Sequence, residues 1–331
     1  MTNPAPEVVA IGNAIVDVLS NCSEAFLAEQ GLTKGGMRLI DGEEAVALYA
    51  AMGPAREISG GSAANSLAGL AGLGHACAFI GQVADDQLGE VFTHDMRATG
   101  IAFDVPALPG PPPTARCLIL IAPDGERTMN TALAMAHRLP ATAIDEAMIA
   151  QAQYLLIEGY LWDAPEPQAA IKRAMAAAKR GGCKVFFALS ALYLMGLYRD
   201  DFLGLIKDGT IDVLFCNDEE VAALMQTDDL ESAVAALSAM VPTLVVTRGA
   251  DGAMAIQNGE RAEVTAEPVA AIIDTTGAGD TFTSGFIAGQ LQGRSLHDSL
   301  VMGAVCAAEC IGHYGPRPEG NLKALVAARL G

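Results

Sequence analysis

Short uninterrupted apolar runs alternate with longer segments of helical periodicity along most of the chain. Runs of this kind, bounded by glycine or polar residues, predict buried β-strands. They cover residues 7–12, 76–80, 154–157, 183–189, 213–216 and 243–247. Because neither side of such a strand carries regular polar positions, the pattern predicts an α/β fold with a mostly parallel sheet and helices on both faces.

The segments between these runs carry apolar residues at the spacing of one helix face. The predicted helices cover residues 62–73, 166–180, 218–225, 281–291 and 297–311. Gly181 and Gly182 follow the second of them, and glycine is a frequent residue at the end of a helix. Strands and helices therefore follow one another as in βαβ units.

Two stretches, residues 13–41 and 97–131, interrupt this order with strand-like sequence around glycine and proline. Residues 109–113 are Pro-Gly-Pro-Pro-Pro and predict a stiff loop, while residues 123–126 are Pro-Asp-Gly-Glu and predict a hairpin turn. The two stretches are either ordinary edge hairpins or the strands of a small β lid. With no repeat and no linker elsewhere, we expect residues 1–331 to form one α/β domain with inserted lid strands.

The charge balance argues against one large class of partners. The 331 residues include 20 Lys and Arg against 39 Asp and Glu, a net charge of −19. Binding to a nucleic-acid backbone needs clustered cationic side chains, so we expect no nucleic-acid partner. A small anionic ligand remains compatible with this charge, because a helix dipole and a divalent cation can hold it.

The sequence favours a cytoplasmic protein without a membrane partner. Residues 1–7 lack the basic region and the apolar core of a signal peptide, and no run of about 18 apolar residues predicts a membrane span. The seven cysteines are scattered and form no C-x-x-C motif. We therefore expect all of them to be reduced thiols.

Residues 274–282, Asp-Thr-Thr-Gly-Ala-Gly-Asp-Thr-Phe, place three small residues and a carboxylate at the start of a predicted helix. The backbone N–H groups of Gly277, Ala278 and Gly279 can approach an anion closely, and the helix dipole favours negative charge there. Asp280 would place a base beside this anion hole, which suits phosphoryl transfer to a hydroxyl. By itself the segment is equally typical of a tight turn before a helix capped by aspartate.

A second glycine-rich segment precedes the first predicted helix. Gly60 and Gly61 allow a close approach of the backbone to a ligand, and Asn65 on the first helical turn offers a donor and an acceptor to a diol. Asn13 and Asp17 follow the first strand, and ligands of α/β sheets gather at the carboxyl ends of strands. A tight strand-to-helix turn and ordinary loop chemistry are the structural alternatives.

Two further strand ends carry polar residues. Asn217 and Glu220 have the spacing of a helix capping box, and Glu220 is alternatively suited to contact Mg²⁺ through water. Residues 247–252 follow the next strand and include two glycines and Arg248, a side chain that could reach phosphate oxygens. The alternative there is a strand–turn–strand hairpin with an exposed arginine.

Missing motifs disfavour several enzyme classes. The chain has no G-x-x-x-x-G-K-[ST] P-loop, no G-x-G-x-x-G after the first strand and no G-x-S-x-G. P-loop enzymes, nicotinamide dehydrogenases and serine hydrolases are therefore disfavoured. The five histidines form no metal-binding motif.

These segments, in this order, resemble the ribokinase-like family of carbohydrate and nucleoside kinases, the phosphofructokinase-B type, over nearly the whole chain. Residues 60–65 resemble the first signature of that family, and residues 274–280 resemble the second. Residues 81–89 resemble a further family segment, with Ala84 where glycine is usual. The resemblance implies a three-layer sandwich, with a mostly parallel central sheet between helices and a small β lid.

The resemblance also implies a role for each candidate residue. Asp280 would be the base that deprotonates the acceptor hydroxyl, beside an anion hole of Gly277, Ala278 and Gly279. ATP with Mg²⁺ would be the co-substrate, and K⁺ would bind beside the anion hole. The other implied roles are substrate binding by Asn13, Asp17, Gly60, Gly61, Asn65 and Asn130; nucleotide binding by Asn217, Glu220, Thr247, Arg248, Gly249 and Gly252; a water-mediated Mg²⁺ contact by Glu220; and monovalent cation binding by Asp274 and Thr276.

Three segments resemble the adenosine kinase branch of the family: residues 12–17, 189–191 and 217–222. The second of them is Leu-Ser-Ala, where many sugar kinases have Asp-Pro-Asn. The expected reaction is therefore phosphorylation of adenosine to AMP, a step of purine salvage. Candidate aromatic side chains for stacking on the base are Tyr160, Trp162 and Phe103.

Two other functions stay open at this point. The first is a sugar kinase for ribose, fructose or a keto-deoxy sugar acid, and a basic side chain at the sugar site, from Arg38, Arg116 or Arg138, would favour the acid. The second is a non-catalytic sugar- or nucleotide-binding regulator, which would be expected to lose Asp280 or the anion-hole glycines. Neither is lost. The sequence does not decide between a monomer and a homodimer.

Overall fold

Two β-sheets and their surrounding helices make up residues 5–331, the part of the chain that this computed structural model describes. The strands are β1 (Val8–Ile11), β2 (Ile15–Asn21), β3 (Met37–Leu39), β4 (Ala55–Gly60), β5 (Cys77–Ile80), β6 (Ala115–Ile121), β7 (Arg127–Ala132), β8 (Tyr154–Glu158), β9 (Lys184–Ala188), β10 (Val213–Asn217), β11 (Thr243–Thr247), β12 (Ala253–Gln257) and β13 (Glu260–Val264).

The α-helices within the same range are α1 (Glu24–Glu29), α2 (Gly42–Ala51), α3 (Ser62–Gly72), α4 (Gln87–Ala98), α5 (Glu146–Gln151), α6 (Pro165–Gly181), α7 (Leu192–Lys207), α8 (Asp218–Met225), α9 (Leu230–Ser238), α10 (Ala278–Leu291), α11 (Leu296–Cys310) and α12 (Leu322–Leu330). Every strand and helix predicted from periodicity is present. Across residues 5–331, none of the helices is long and apolar enough to cross a membrane.

The main sheet has eight strands in the order β13-β12-β11-β10-β9-β8-β1-β5. The six strands from β11 to β5 are parallel, and β12 and β13 add an antiparallel edge. Val8 and Ala10 pack into the core on the side of α3, α10 and α11, whereas Val9 and Ile11 pack on the side of α6, α7 and α8. The predicted three-layer α/β sandwich with a mostly parallel sheet is confirmed.

A second sheet, called the lid sheet here, has five strands in the order β3-β7-β6-β2-β4. The predicted turn at residues 123–126 joins β6 to β7, which pair antiparallel. β4 pairs antiparallel with β2, although the sequence analysis assigned no strand to residues 55–60. Residues 99–112 contribute only two isolated bridges, at Ala102 and Leu108, to a range for which lid strands were predicted.

Candidate active site

A cavity of ≈ 480 Å³ lies between the carboxyl ends of the main-sheet strands and the lid sheet. The ends of β1, β8, β9, β10 and β11 reach it from one side, and β2, β3, β6 and β7 reach it from the other. The predicted site residues that line it are Asn13, Asp17, Gly61, Asn65, Asn217, Glu220, Thr247, Thr276, Gly277, Ala278, Gly279 and Asp280. Residues from distant parts of the chain therefore meet at the strand ends, where an α/β sheet binds its ligands.

Asp280 lies in the first turn of α10, and other side chains fix the orientation of its carboxylate. Ser62 Oγ donates a hydrogen bond to Oδ1 (2.6 Å), and Asn65 Nδ2 donates one to Oδ2 (3.0 Å). Burial raises the pKa of Asp280, and these two hydrogen bonds oppose the rise. A carboxylate with a fixed orientation and a raised pKa is suited to accept a proton from a hydroxyl. Ser62 is a part of this site that the sequence analysis did not assign.

The two glycines before Asp280 are needed for different structural reasons. Gly277 is the N-cap of α10 in a left-handed conformation (φ 79°), and a Cβ there would lie 2.5–2.7 Å from atoms of Pro316. A Cβ on Gly279 would meet no atom within 4 Å and would project into open space. The Ala278 N–H donates to the Thr275 carbonyl (3.2 Å). The N–H groups of Gly277 and Gly279 have no acceptor inside the helix, so they are available to an anion in the cavity.

Asp17 extends from β2 into the cavity and is 8% exposed. Burial raises its pKa to about 7; Arg317 and Arg127 lower it, and nearby carboxylates add to the rise. A Cβ on Gly60 would overlap the Asp17 carboxylate, so Gly60 makes room for Asp17 rather than lining the cavity itself. Gly61 adopts φ 94°, which glycine tolerates.

Glu158 is a buried cavity residue that the sequence analysis missed. Its Oε1 accepts hydrogen bonds from the Asn13 backbone N–H (2.7 Å) and from Asn13 Nδ2 (2.8 Å), and its Oε2 accepts one from the Ala63 N–H (2.8 Å). Burial raises the pKa of Glu158 to about 7, against the effect of these donors. Glu158 thereby fixes Asn13 and the start of α3 relative to each other. Its position at the carboxyl end of β8 was the available signal.

Asp274, predicted to hold a monovalent cation with Thr276, already has three cationic or N–H partners. Its Oδ2 lies 2.6 Å from Arg127 Nη2 and accepts a hydrogen bond from the Gly315 N–H (2.8 Å), while its Oδ1 accepts one from the Thr276 N–H (3.0 Å). Arg127 Nη1 also donates to Thr276 Oγ1 (3.3 Å). Three nitrogen donors thus already contact the Asp274 carboxylate, and K⁺ binding by Asp274 and Thr276 stays a prediction.

Glu220 forms the predicted capping box with Asn217. The Asn217 side chain accepts a hydrogen bond from the Glu220 N–H (2.7 Å), and the Glu220 carboxylate accepts one from the Asn217 N–H (3.0 Å). Glu220 also lines the cavity, and burial raises its pKa to about 7. Residues 5–331 contain no group of three or more His, Cys, Asp or Glu arranged to hold a metal ion. A single carboxylate fits Mg²⁺ that keeps its water shell and its phosphate ligands.

Three of the predicted nucleotide-binding residues lie outside the cavity lining. Arg248 faces β13, where its Nη2 lies 3.2 Å from Glu263, and it does not extend into the cavity. Gly252 has φ 86°, and a Cβ there would collide with the Val264 carbonyl. Gly249 (φ 53°) belongs to the same β11–β12 turn. The segment joins β11 to β12 as a hairpin, and Thr247 is its residue that lines the cavity. Nucleotide binding by Arg248, Gly249 and Gly252 stays a prediction.

Asn130 is not brought to the cavity either. Neighbouring residues of a strand face opposite sides, and Met129 and Thr131 of β7 are the ones that line the cavity. Asn130 is fully buried on the other side and accepts a hydrogen bond from Arg38 Nε (2.7 Å). Arg38 thus faces away from the cavity.

The two other arginines considered for an acidic substrate also lie elsewhere. Arg116 neighbours Cys117 on β6, and Cys117 is the one that lines the cavity. Arg138 pairs with Glu166 at the surface (2.8 Å). Of the three aromatic candidates, Tyr160 lines the cavity, whereas Trp162 and Phe103 are buried in the core.

A family model of the pfkB family carbohydrate kinases matches residues 51–322. The chain belongs to the pfkB family. Its resemblance to the ribokinase-like kinases is thereby confirmed. The pfkB kinase described here is a phosphotransferase that acts on an alcohol group of a sugar or a nucleoside.

Individual relatives of this pfkB kinase include both kinds of enzyme. A fructokinase of Klebsiella pneumoniae is 29% identical over 272 residues, which cover 80% of this chain and 88% of that protein. The structure of an adenosine kinase from Sinorhizobium meliloti is 42% identical, with a TM-score of 0.91 and coverage of 98% of this chain and 99% of that one. A probable sugar kinase protein from Rhizobium etli CFN 42 is 41% identical, with a TM-score of 0.92 and coverage of 98% of both chains.

Proposed function

We propose that this pfkB kinase transfers the γ-phosphoryl group of ATP to a primary hydroxyl of a ribose-containing nucleoside, with adenosine as acceptor and AMP and ADP as products. The observation that carries the proposal is the Asp280 carboxylate, held by Ser62 and Asn65 beside the N–H groups of Gly277 and Gly279 at the start of α10. A base and an anion hole in one place are the two elements that phosphoryl transfer to a hydroxyl requires.

In the proposed transfer, every bond that forms or breaks and the proton of the hydroxyl are accounted for. The acceptor hydroxyl gives its proton to Asp280 as its oxygen forms a bond to the γ-phosphorus. The bond between that phosphorus and the bridging oxygen of ADP breaks, and ADP leaves with the electron pair. The N–H groups of residues 277–279 stabilise the charge on the equatorial oxygens. Mg²⁺, bound with ATP and contacted by Glu220 through water, would neutralise phosphate charge.

The composition of the cavity supports a nucleoside acceptor. Met37 (46% exposed) and Leu39 (45% exposed) of β3 line the lid side, together with Met129 of β7. A second part of the lining carries the polar groups of Asn13, which follows β1, and of Asp17 on β2, and these groups suit ribose hydroxyls. A nucleoside has an apolar base to cover the first surface and a diol to bind the second, whereas a free sugar has no group that would cover the methionine and leucine side chains.

A sugar kinase is the second candidate, supported by the likeness to a fructokinase. A keto-deoxy sugar acid is disfavoured, because Arg38, Arg116 and Arg138 lie away from the cavity. A non-catalytic regulator is disfavoured by the intact Asp280 and its oriented carboxylate.

An acceptor panel tests the choice of substrate. Purified protein with ATP and Mg²⁺ is assayed for ADP release with adenosine, other nucleosides, ribose, fructose and a keto-deoxy sugar acid. We expect adenosine to give the highest kcat/KM. A higher kcat/KM for a free sugar would reject the nucleoside assignment in favour of the sugar kinase.

Substitution of the base tests the mechanism. We expect Asp280→Asn to lower kcat by roughly 10²- to 10⁴-fold, the usual contribution of a general base, and to leave acceptor binding nearly unchanged. Asp200→Asn is the matched control, since Asp200 is 96% exposed on α7. A near-normal kcat in Asp280→Asn would exclude Asp280 as the base.

A further inference from the structure

The segment at residues 312–320, between α11 and α12, packs behind the anion hole and is held at several points. The Gly315 N–H donates to Asp274 Oδ2 (2.8 Å), and the Glu319 N–H donates to Glu309 Oε1 (3.1 Å). Pro316 lies directly against Gly277. The segment is therefore fixed relative to α10, and the side chain between these contacts, Arg317, has a defined position.

Arg317 contacts a residue of the active site from outside the cavity. Its Nε donates to Asn65 Oδ1 (3.4 Å), and its Nη2 contacts Met96 Sδ (3.5 Å). Asn65 can then present only its NH₂ group to Asp280, to which Nδ2 donates at 3.0 Å. An amide in the reverse orientation would place its oxygen against the carboxylate, so Arg317 selects the orientation that supports the base.

Arg317 is also the cation with the largest favourable effect on Asp17. Burial raises the pKa of Asp17, and Arg317 opposes that rise more than Arg127 on β7 does. Asp280 on α10 and Asp274 before it act in the opposite direction. Cys117 faces Asp17 from β6, and burial raises the pKa of this thiol to about 12, so it stays neutral.

The charge of Arg317 is itself compensated from α4. Asp95 and Asp17 both raise the pKa of Arg317, against burial, which lowers it. Asp95 is held in place by the Ser59 N–H (3.1 Å) and Ser59 Oγ (2.9 Å). The positive charge of Arg317 is therefore balanced by the negative charges of Asp95 and Asp17.

We propose that Arg317 is a positioning residue for phosphoryl transfer, which orients the Asn65 amide so that its NH₂ group faces the Asp280 carboxylate. This inference rests on the proposed function of the same site. Arg317 acts through Asn65, since it is not among the residues that line the cavity.

The test compares Arg317→Gln, which removes the charge, with Arg317→Lys, which keeps it; Arg317→Met replaces the Gln variant if that variant does not fold. Arg329→Met is the matched control, because Arg329 on α12 is 52% exposed and pairs with Glu267. Acceptor kcat and KM are measured from pH 6 to pH 9, acceptor binding is measured by calorimetry without ATP, and thermal unfolding is followed in parallel.

We expect kcat to fall in the Gln variant, because Asn65 loses the Nε donor that orients it. We also expect the acidic limb of kcat/KM to move about one pH unit higher, which is about a tenfold loss below the limb. In the Lys variant the acidic limb stays in place, because the positive charge remains. Its kcat falls, because the Nε donor to Asn65 is lost. Calorimetric acceptor affinity follows the same shift in pH dependence. The Arg329→Met variant behaves as the wild type.

An unchanged kcat in the Gln variant would overturn the inference, and so would a pH-independent loss that parallels a lower melting temperature. Wild-type protein that phosphorylates no acceptor of the panel would reject the proposed function instead. In that case the pH dependence of acceptor binding in the Gln and Lys variants still decides the effect of Arg317 on Asp17.

Discussion

At the scale of one residue, Asp17 is placed for substrate binding at a cost in the stability of the fold. The folded protein raises the pKa of Asp17 from 3.8 to about 7, mainly by burial. The folded state therefore prefers the neutral carboxyl, whereas the unfolded chain is ionised above about pH 4. Ionised Asp17 thus destabilises the fold increasingly as pH rises from about 4, and the effect is complete above about pH 7.

Asp17→Asn is accordingly expected to stabilise the protein at pH 8, by up to roughly 4 kcal/mol from the size of the pKa change. The gain is smaller at pH 5, where the folded wild type is already protonated at this position. Denaturant unfolding at both pH values measures it, with Asp200→Asn as the exposed control. Acceptor binding is lost in the same variant, because the asparagine amide has one accepting oxygen where the carboxylate has two charged ones, and it cannot accept a hydrogen bond from each of two hydroxyls on separate oxygens. Equal stability of variant and wild type at pH 8 would contradict the burial argument.

A site residue could be predicted from the sequence when its partners lie close to it in the chain. Asp280 and the glycines before it act within one turn, so the local sequence indicated them. Glu158 acts on Asn13 across 145 residues, and Arg317 acts on Asn65 across 252 residues. No local pattern encodes such pairs, because the topology of the sheet brings them together.

At the scale of the element, two glycines at the start of α10 are needed for different reasons. Gly277 is needed for its backbone conformation, and Gly279 for the space that it leaves open. We expect Gly277→Ala to lower the melting temperature strongly, since the residue has a positive φ and a Cβ would collide with Pro316. We expect Gly279→Ala to fold normally, because its Cβ meets no atom within 4 Å, and to lose activity, because the methyl group enters the space of the transferring phosphoryl group.

Circular dichroism melting and the ADP-release assay of the same two variants separate these outcomes. The pair serves as its own control, as both changes add one methyl group two residues apart. A Gly277→Ala variant as stable and as active as the wild type would refute the steric account. Full activity in Gly279→Ala would place the phosphoryl group elsewhere.

The lengths of the elements show what hydrophobic periodicity can and cannot predict. α8 and β11 have the predicted ends, and α10 begins three residues before its predicted start because Gly277 supplies the N-cap. β4 was not predicted, because Arg56, Glu57 and Gly60 interrupt the alternation of apolar and polar residues that is typical of a strand. β12 was predicted only as the second strand of the alternative hairpin at residues 247–252, and β13 was not predicted.

At the scale of the whole molecule, the lid sheet and the main body are joined by a buried ion pair. Arg127 of β7 and Asp274 before α10 have side chains that are 9% and 2% exposed. Removal of one partner from such a pair leaves the other charge buried without compensation, which typically destabilises a protein by several kcal/mol. The lid is thus attached to the segment that forms the anion hole.

We expect Arg127→Met to lower the free energy of opening the lid sheet by roughly 3 kcal/mol and to raise the KM for the acceptor. Hydrogen exchange of β6 and β7 measures the first effect, and steady-state kinetics measure the second. Arg38→Met is the control, because Arg38 belongs to the lid but faces away from the cavity. Unchanged exchange in β6 and β7 would show that the ion pair does not hold the lid.

The contact of Pro316 with Gly277 has a consequence for the protein during its synthesis. A ribosome adds residues from the amino terminus, and the domain folds as its parts emerge. The turn at Gly277 obtains its contact with Pro316, and Asp274 obtains its hydrogen bond from Gly315, only when residues 315 and 316 leave the exit tunnel. A nascent chain that ends earlier would carry the base, the glycines and the whole lid, and still be an inert intermediate rather than a partly active kinase.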